Sequence, residues 1–158
     1  MRLLFLALAL TPVLYAQTYQ EKVLAAVLVA EATGEGAQGM RAVAEVIRQR
    51  AHEKDKTPFQ VVIDGTTKRR AFSCLNRTTP NSLYRRWNKD ENYGEALKIA
   101  AVLIQQPERL GGLTRQATHY TRRWEKPYWA KGKRPVMVIG RHAYLVQGVE
   151  LNLVSRCM

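Results

Sequence analysis

Residues 19–50 read YQEKVLAAVLVAEATGEGAQGMRAVAEVIRQR, and this stretch decides the fold. From Tyr19 to Ala32 the spacing predicts a helix: Leu24, Val27 and Leu28 recur at i, i+3 and i+4, and Glu31 takes the next position on that stripe. Thr33-Gly34-Glu35-Gly36 breaks it. A second helix is expected from about Ala37 to Glu53, with Met40, Val43, Ala44, Ile47 and Ala51 inward and Arg41, Glu45, Arg48 and Gln49 outside the stripe.

Further along, Pro58 starts a short helical turn through Val62, closed by Asp64-Gly65. Thr66 to Trp87 is polar and irregular. Another helix is predicted from Glu91 to Gln106, where Ala96, Ile99, Ala100 and Leu103 repeat at helical spacing before Pro107. Beyond Gly111-Gly112 the pattern changes: Ala117–Thr121, Val136–Gly140 and His142–Val146 are short, apolar and partly alternating, as strands are. N-terminal helices followed by a small C-terminal antiparallel sheet make an α+β domain. There is no internal repeat or linker, and 158 residues suit one core.

Upstream, Arg2 precedes an apolar run from Leu3 to Leu10, then Thr11-Pro12 and the small Ala16. This is the pattern of a secretory signal peptide, residues 1–16, leaving 17–158 as a single exported domain. The run is too short to cross a hydrocarbon layer of roughly 30 Å. The expected location is periplasmic or extracellular, at the cell envelope. Outside the cytosol Cys74 and Cys157 are expected to pair, closing a loop of roughly eighty residues worth about 4 kcal/mol on the chain-entropy model.

Composition sets outer limits. With 46% apolar and 24% charged residues the chain is not a disordered one, and two cysteines exclude a disulfide-framework miniprotein or a four-cysteine zinc site. The 25 Lys and Arg against 13 Asp and Glu leave a net charge of +12, which calls for a polyanionic partner.

Glu31 is the most informative residue. Apolar stripes exclude unpaired carboxylates, and the last turn of a helix presents partial negative charge. Both effects favour the protonated carboxyl, the form a general acid needs to donate to a leaving oxygen. The bland reading ends the stripe one residue earlier and leaves Glu31 solvated. Glu35, four residues on, reads either as its partner at the substrate or as a loop charge.

At these residues the chain resembles the spore cortex-lytic type of bacterial cell wall hydrolase. Ala30-Glu31-Ala32-Thr33-Gly34-Glu35, then Gly39 and Ala42–Arg50, resemble its opening Glu-Ala-x-Gly-Glu turn and a helix ending in Asn-Arg. Phe72-Ser73-Cys74 is similar to its central segment. Ala117-Thr118-His119-Tyr120 and Pro127-Tyr128-Trp129 resemble its His-Tyr strand and Pro-x-Trp loop, and Ile139–Tyr144 its closing strand. Gln49, Arg141 and Ala143 depart from the pattern. The resemblance implies a lysozyme-like domain cutting peptidoglycan glycan strands between N-acetylmuramic acid and N-acetylglucosamine. It also implies lytic transglycosylase chemistry, with 1,6-anhydromuramic ends and Glu31 as general acid/base.

That chemistry needs one carboxyl group, because the muramic C6 hydroxyl attacks its own anomeric carbon. A muramidase-type hydrolase on the same bond needs two. Asp64, Asp90 and Glu95 stand in turn or helix contexts that read as structural. The expected sugar cleft is lined by Phe72, Tyr120, Tyr128 and Trp129, with hydrogen bonds from Ser73 and Tyr120, and His119 and His142 orienting its wall. Core packing is the competing role for Phe72, and a structural one for each histidine.

No cofactor or metal is expected, since His52, His119 and His142 show no His-Glu-x-x-His spacing. Arg69-Arg70, Arg85-Arg86-Trp87 and Arg122-Arg123-Trp124 pair basic residues with aromatics, as single-strand binders do, but no nucleic-acid motif is present. The expected partners are peptidoglycan glycan strands and anionic envelope polymers, with no specific nucleic acid, for a monomer. A non-enzymatic polyanion-binding module is the remaining alternative.

Overall fold

Thr18 starts the first helix by a reciprocal cap: the Glu21 amide donates to Thr18 Oγ1 and the Thr18 amide donates to Glu21 Oε2, at 3.2 and 2.8 Å. The computed structural model describes residues 16–66 and 68–146. Helix α1 (Tyr19–Glu31) is buried on every side from Val23 to Val29, so it is the centre of the core and has no solvent face. It packs against α5 (Tyr93–Gln105), α4 (Pro80–Trp87) and α2 (Gly36–Lys54). Thr33 Oγ1 bonds back to the Val29 carbonyl at 3.0 Å, and Gly34 at φ +81° turns the chain out of α1.

Helix α2 serves two layers. Met40, Val43, Ala44, Ile47 and Ala51 face the helical core, while Ala42 and Val46 face Ala117 and, from the sheet, Ile139 and Tyr144. Glu45, expected outside the stripe, is buried on this second face. It accepts hydrogen bonds from the Leu113 and Thr114 amides and the Thr114 hydroxyl at 3.0, 2.7 and 2.8 Å. A single stripe could not show it, because α2 is covered on two sides.

After α3 (Pro58–Ile63) come a two-residue hairpin, β1 (Gly65–Thr66) with β2 (Arg69–Arg70), and a 3₁₀ turn at Ser73–Leu75. Helix α4 occupies part of the stretch expected to be irregular. Thr79 caps it, accepting from the Ser82 amide at 3.1 Å, and Pro80 opens it, but Leu83 is its sole buried residue, so the apolar signal is faint. The strands β3 (His119–Arg122), β4 (Met137–Ile139) and β5 (His142–Leu145) form an antiparallel sheet in the order β3-β5-β4. Tyr120 pairs with Tyr144 and Arg122 with His142.

Among the described residues, five helices followed by this small sheet give the expected α+β arrangement, consistent with a lysozyme-like domain. No helix among the described residues is long and apolar enough to cross a membrane. Residues 1–15, the bulk of the expected signal peptide, and Cys157 of the expected disulfide lie outside the described residues.

Candidate active site

The C-terminus of α1, the Ala71–Cys74 segment, α4 and the β3–β5 face enclose a cleft of about 660 Å³. At Ala30 and Glu31 the end of α1 emerges from the core, and the Glu31 carboxyl enters this cleft. Tyr120 Oη donates to Glu31 Oε2 at 2.9 Å, and the Cys74 amide donates to Oε1 at 3.1 Å. The carboxyl is therefore held from the strand on one side and the 3₁₀ turn on the other. What brings it there is the end of a core helix; the apolar stripe expected to carry it is only part of a helix buried all round.

The Tyr120 hydroxyl is kept as a donor. Burial, and then the Glu31 charge, push the Tyr120 hydroxyl well above its ordinary value, so it remains protonated. The same two causes push the Cys74 thiol up, which makes it a poor nucleophile. Cys74 is a free thiol among the described residues.

Arg50 completes the floor. Its Nε donates to the Thr118 carbonyl at 2.6 Å, and its guanidinium lies 5.2 Å from the Phe72 ring centroid. Burial lowers Arg50 from its ordinary value, opposed by the nearby Tyr120, Glu31 and Glu53. A guanidinium remains charged there, so the site carries a fixed positive charge beside its carboxyl.

Glu35 does not line the cleft. Its side chain is 2% exposed, and it is neither a solvated loop charge nor open to a substrate. It accepts from the Arg141 amide at 2.7 Å and from His142 Nδ1 at 2.9 Å. A carboxylate only accepts, so Nδ1 carries the proton, and in the neutral ring Nε2 is an acceptor. Gly39 and Gly140 make room for it: a Cβ at Gly39 would stand 2.5 Å from Glu35 Cβ, and one at Gly140 3.1 Å from Glu35 Cδ. His142 lies edge-on to Tyr120, with ring centroids 5.2 Å apart, and lines the cleft.

Of the expected site residues, Glu31, Phe72, Ser73, Tyr120 and His142 meet at the cleft. Phe72 is 1% exposed and belongs to the helical core, where it supports Arg50 and offers no open platform for a sugar. His119 and Trp129 pack on each other at 5.2 Å and Tyr128 is 93% exposed; these three are not among the cleft's lining residues. The basic loop around them is exposed from Arg122 to Lys126 and again from Lys131 to Arg134.

The structure adds Arg50, Arg86, Trp87, Thr121, Arg122 and Glu125 to the lining. Arg50 has a signal in sequence, the Asn-Arg helix end of the resemblance; Arg86 and Trp87 stand out only as a basic-aromatic pair, and nothing in their spacing places that pair at the cleft. Glu125 is a second acid at the cleft, exposed and 3.7 Å from Arg122. Asp64 meets Lys56 and Lys54 at 3.0 and 3.5 Å, Asp90 bonds the Asn92 amide and Glu95 bonds Lys98, all away from the cleft lining. Among the described residues no three His, Cys, Asp or Glu side chains converge as metal ligands.

The chain matches the family described as Cell Wall Hydrolase over residues 34–145. The span contains Arg50, Cys74, Tyr120 and His142, and Glu31 lies three residues before it. No curated protein and no solved structure matches the chain.

Proposed function

The chain belongs to the cell wall hydrolase family, enzymes that degrade peptidoglycan, and from that premise we propose that it cuts the glycan strand between N-acetylmuramic acid and N-acetylglucosamine with Glu31 as general acid/base. The observation that carries this reading is the fixing of the Glu31 carboxyl in the cleft by Tyr120 Oη and the Cys74 amide. Proton transfer to a leaving oxygen needs an acid whose direction is set before the substrate arrives.

The proposed reaction is that of a lytic transglycosylase. Glu31 protonates the glycosidic oxygen, the C1–O bond breaks, and C1 gains oxocarbenium character. The muramic C6 hydroxyl closes on C1, and its proton passes to the Glu31 carboxylate. The product is a 1,6-anhydro end and the acid is regenerated. Ser73 and Thr121 offer hydroxyls to the sugar, and Trp87 offers a flat apolar surface.

A muramidase-type hydrolysis of the same bond is the second reading. Glu125 on the rim supports it, since two carboxyl groups flanking the bond are what such enzymes use. Its exposure and its pairing with Arg122 favour the first.

Export belongs to the proposal: residues 1–16 act as a signal peptide and residues 17–158 as one catalytic domain, monomeric at the envelope. The basic surface draws it to anionic envelope polymers and to the peptide carboxylates of its insoluble substrate. Purified peptidoglycan should lose turbidity with the wild-type enzyme and keep it with Glu31→Gln. Equal clearing by the two would remove Glu31 from the mechanism.

A further inference from the structure

We propose that Glu35 and His142 form a second proton-handling pair, which activates water and gives this enzyme a hydrolytic branch beside the anhydro one. The inference rests on the glycan-cleaving reading above, with Glu31 as the acid.

The pair is built into the fold. Glu35 is nearly sealed from solvent, its two oxygens accept from the Arg141 amide and His142 Nδ1, and two glycines leave the space it fills. A buried carboxylate with one backbone donor and one imidazole donor fixes both the ring's orientation and its tautomer. His142 Nε2 has no partner among the described residues and is not sealed off, and His142 lines the cleft that holds Glu31. The groups facing His142 are Glu35 from the α1–α2 turn, and Tyr120 and Tyr144 from the sheet. Tyr120 links the two sites directly: its ring meets His142 and its hydroxyl meets Glu31.

A neutral Nε2 in that position accepts the hydrogen bond of a water. As Glu31 protonates the leaving oxygen and the C1–O bond breaks, the water oxygen bonds to C1 and its proton passes to Nε2. The imidazolium forms beside the Glu35 carboxylate, which stabilises it. The product is a reducing muramic end, and exchange with solvent in the open cleft returns the proton to Glu31. His142 is the catalytic residue of this branch and Glu35 its positioning residue. Glu125 is the rival base, but it sits exposed on the rim and is tied to Arg122 and Thr121.

Mass spectrometry of borohydride-reduced digests of purified sacculi counts new reducing and anhydro ends separately. The wild-type enzyme should make both. His142→Gln should lower the ratio of reducing to anhydro ends at least tenfold, and Glu35→Gln should lower it in the same direction. Anhydro ends alone from the wild type would overturn the proposal without any variant. A ratio unchanged in a folded His142→Gln, or one that falls with Glu125→Gln instead, would also overturn it. Absence of both kinds of end from the wild-type digest would refute the glycan-cleaving reading itself.

Discussion

Tyr120 Oη donates to Glu31 Oε2 at 2.9 Å across 89 residues of sequence, joining the end of the core helix to the first strand of the sheet. The bond makes the candidate acid's direction a property of the whole fold. Removing the hydroxyl leaves Glu31 present but held by the Cys74 amide alone. Tyr120→Phe is therefore expected to lower kcat about fivefold with little change in KM, in line with the roughly 1 kcal/mol of one such bond. Steady-state kinetics on soluble glycan fragments checks the split.

Gly39→Ala places a methyl group against Glu35 Cβ at 2.5 Å, and that atom is close to the backbone and cannot swing aside. The expected loss is about 1–3 kcal/mol, typical of overpacking. Urea denaturation measures it, and a stability equal to wild type would contradict the tight seat described for Glu35.

Glu45 ties α2 to the Leu113–Thr114 segment with three hydrogen bonds in a buried setting. Glu45→Ala leaves two amides and a hydroxyl without their acceptor. A destabilisation of about 3 kcal/mol is expected from such orphaned donors. A thermal melt reads it directly.

His119 carries a pH signature of stability. Burial, then Arg50, Lys133 and Lys54, push it down to about 4 from its ordinary 6.5. Between those values the unfolded chain holds a proton that the folded one does not, so stability falls as pH drops from about 6.5 towards 4. Urea melts at stepped pH should show this slope, and His119→Gln should flatten it.

Much of the fold was legible because its signals are local. Helical spacing at Leu24, Val27 and Leu28, and at Ala96, Ile99 and Ala100, marks α1 and α5, and alternation marks the strands. What was hidden depends on more than one neighbour. Glu45 falls outside the single inward stripe yet is buried because α2 is covered on two faces, and α4 gives little apolar pattern because Arg85 and Arg86 follow a single buried Leu83. In the site, Glu31 was legible as a carboxyl at the end of an apolar helix. Glu35 was not, because its partners Arg141 and His142 stand more than a hundred positions away and spacing carries no sign of them. Tyr128 and Trp129 read as cleft residues from their aromatic rings and the Pro-x-Trp resemblance, whereas in the fold Trp129 packs on His119 and Tyr128 projects into solvent, outside the cleft lining.

The central claim is that Glu31 delivers the proton that breaks the glycan strand. Its most direct test is mass spectrometry of the soluble products from purified sacculi treated with the wild-type enzyme and with a folded Glu31→Gln variant. The account predicts muropeptides with 1,6-anhydromuramic ends from the wild type and no new glycan ends of either kind from the variant. The same ends released at a similar rate by Glu31→Gln would contradict it.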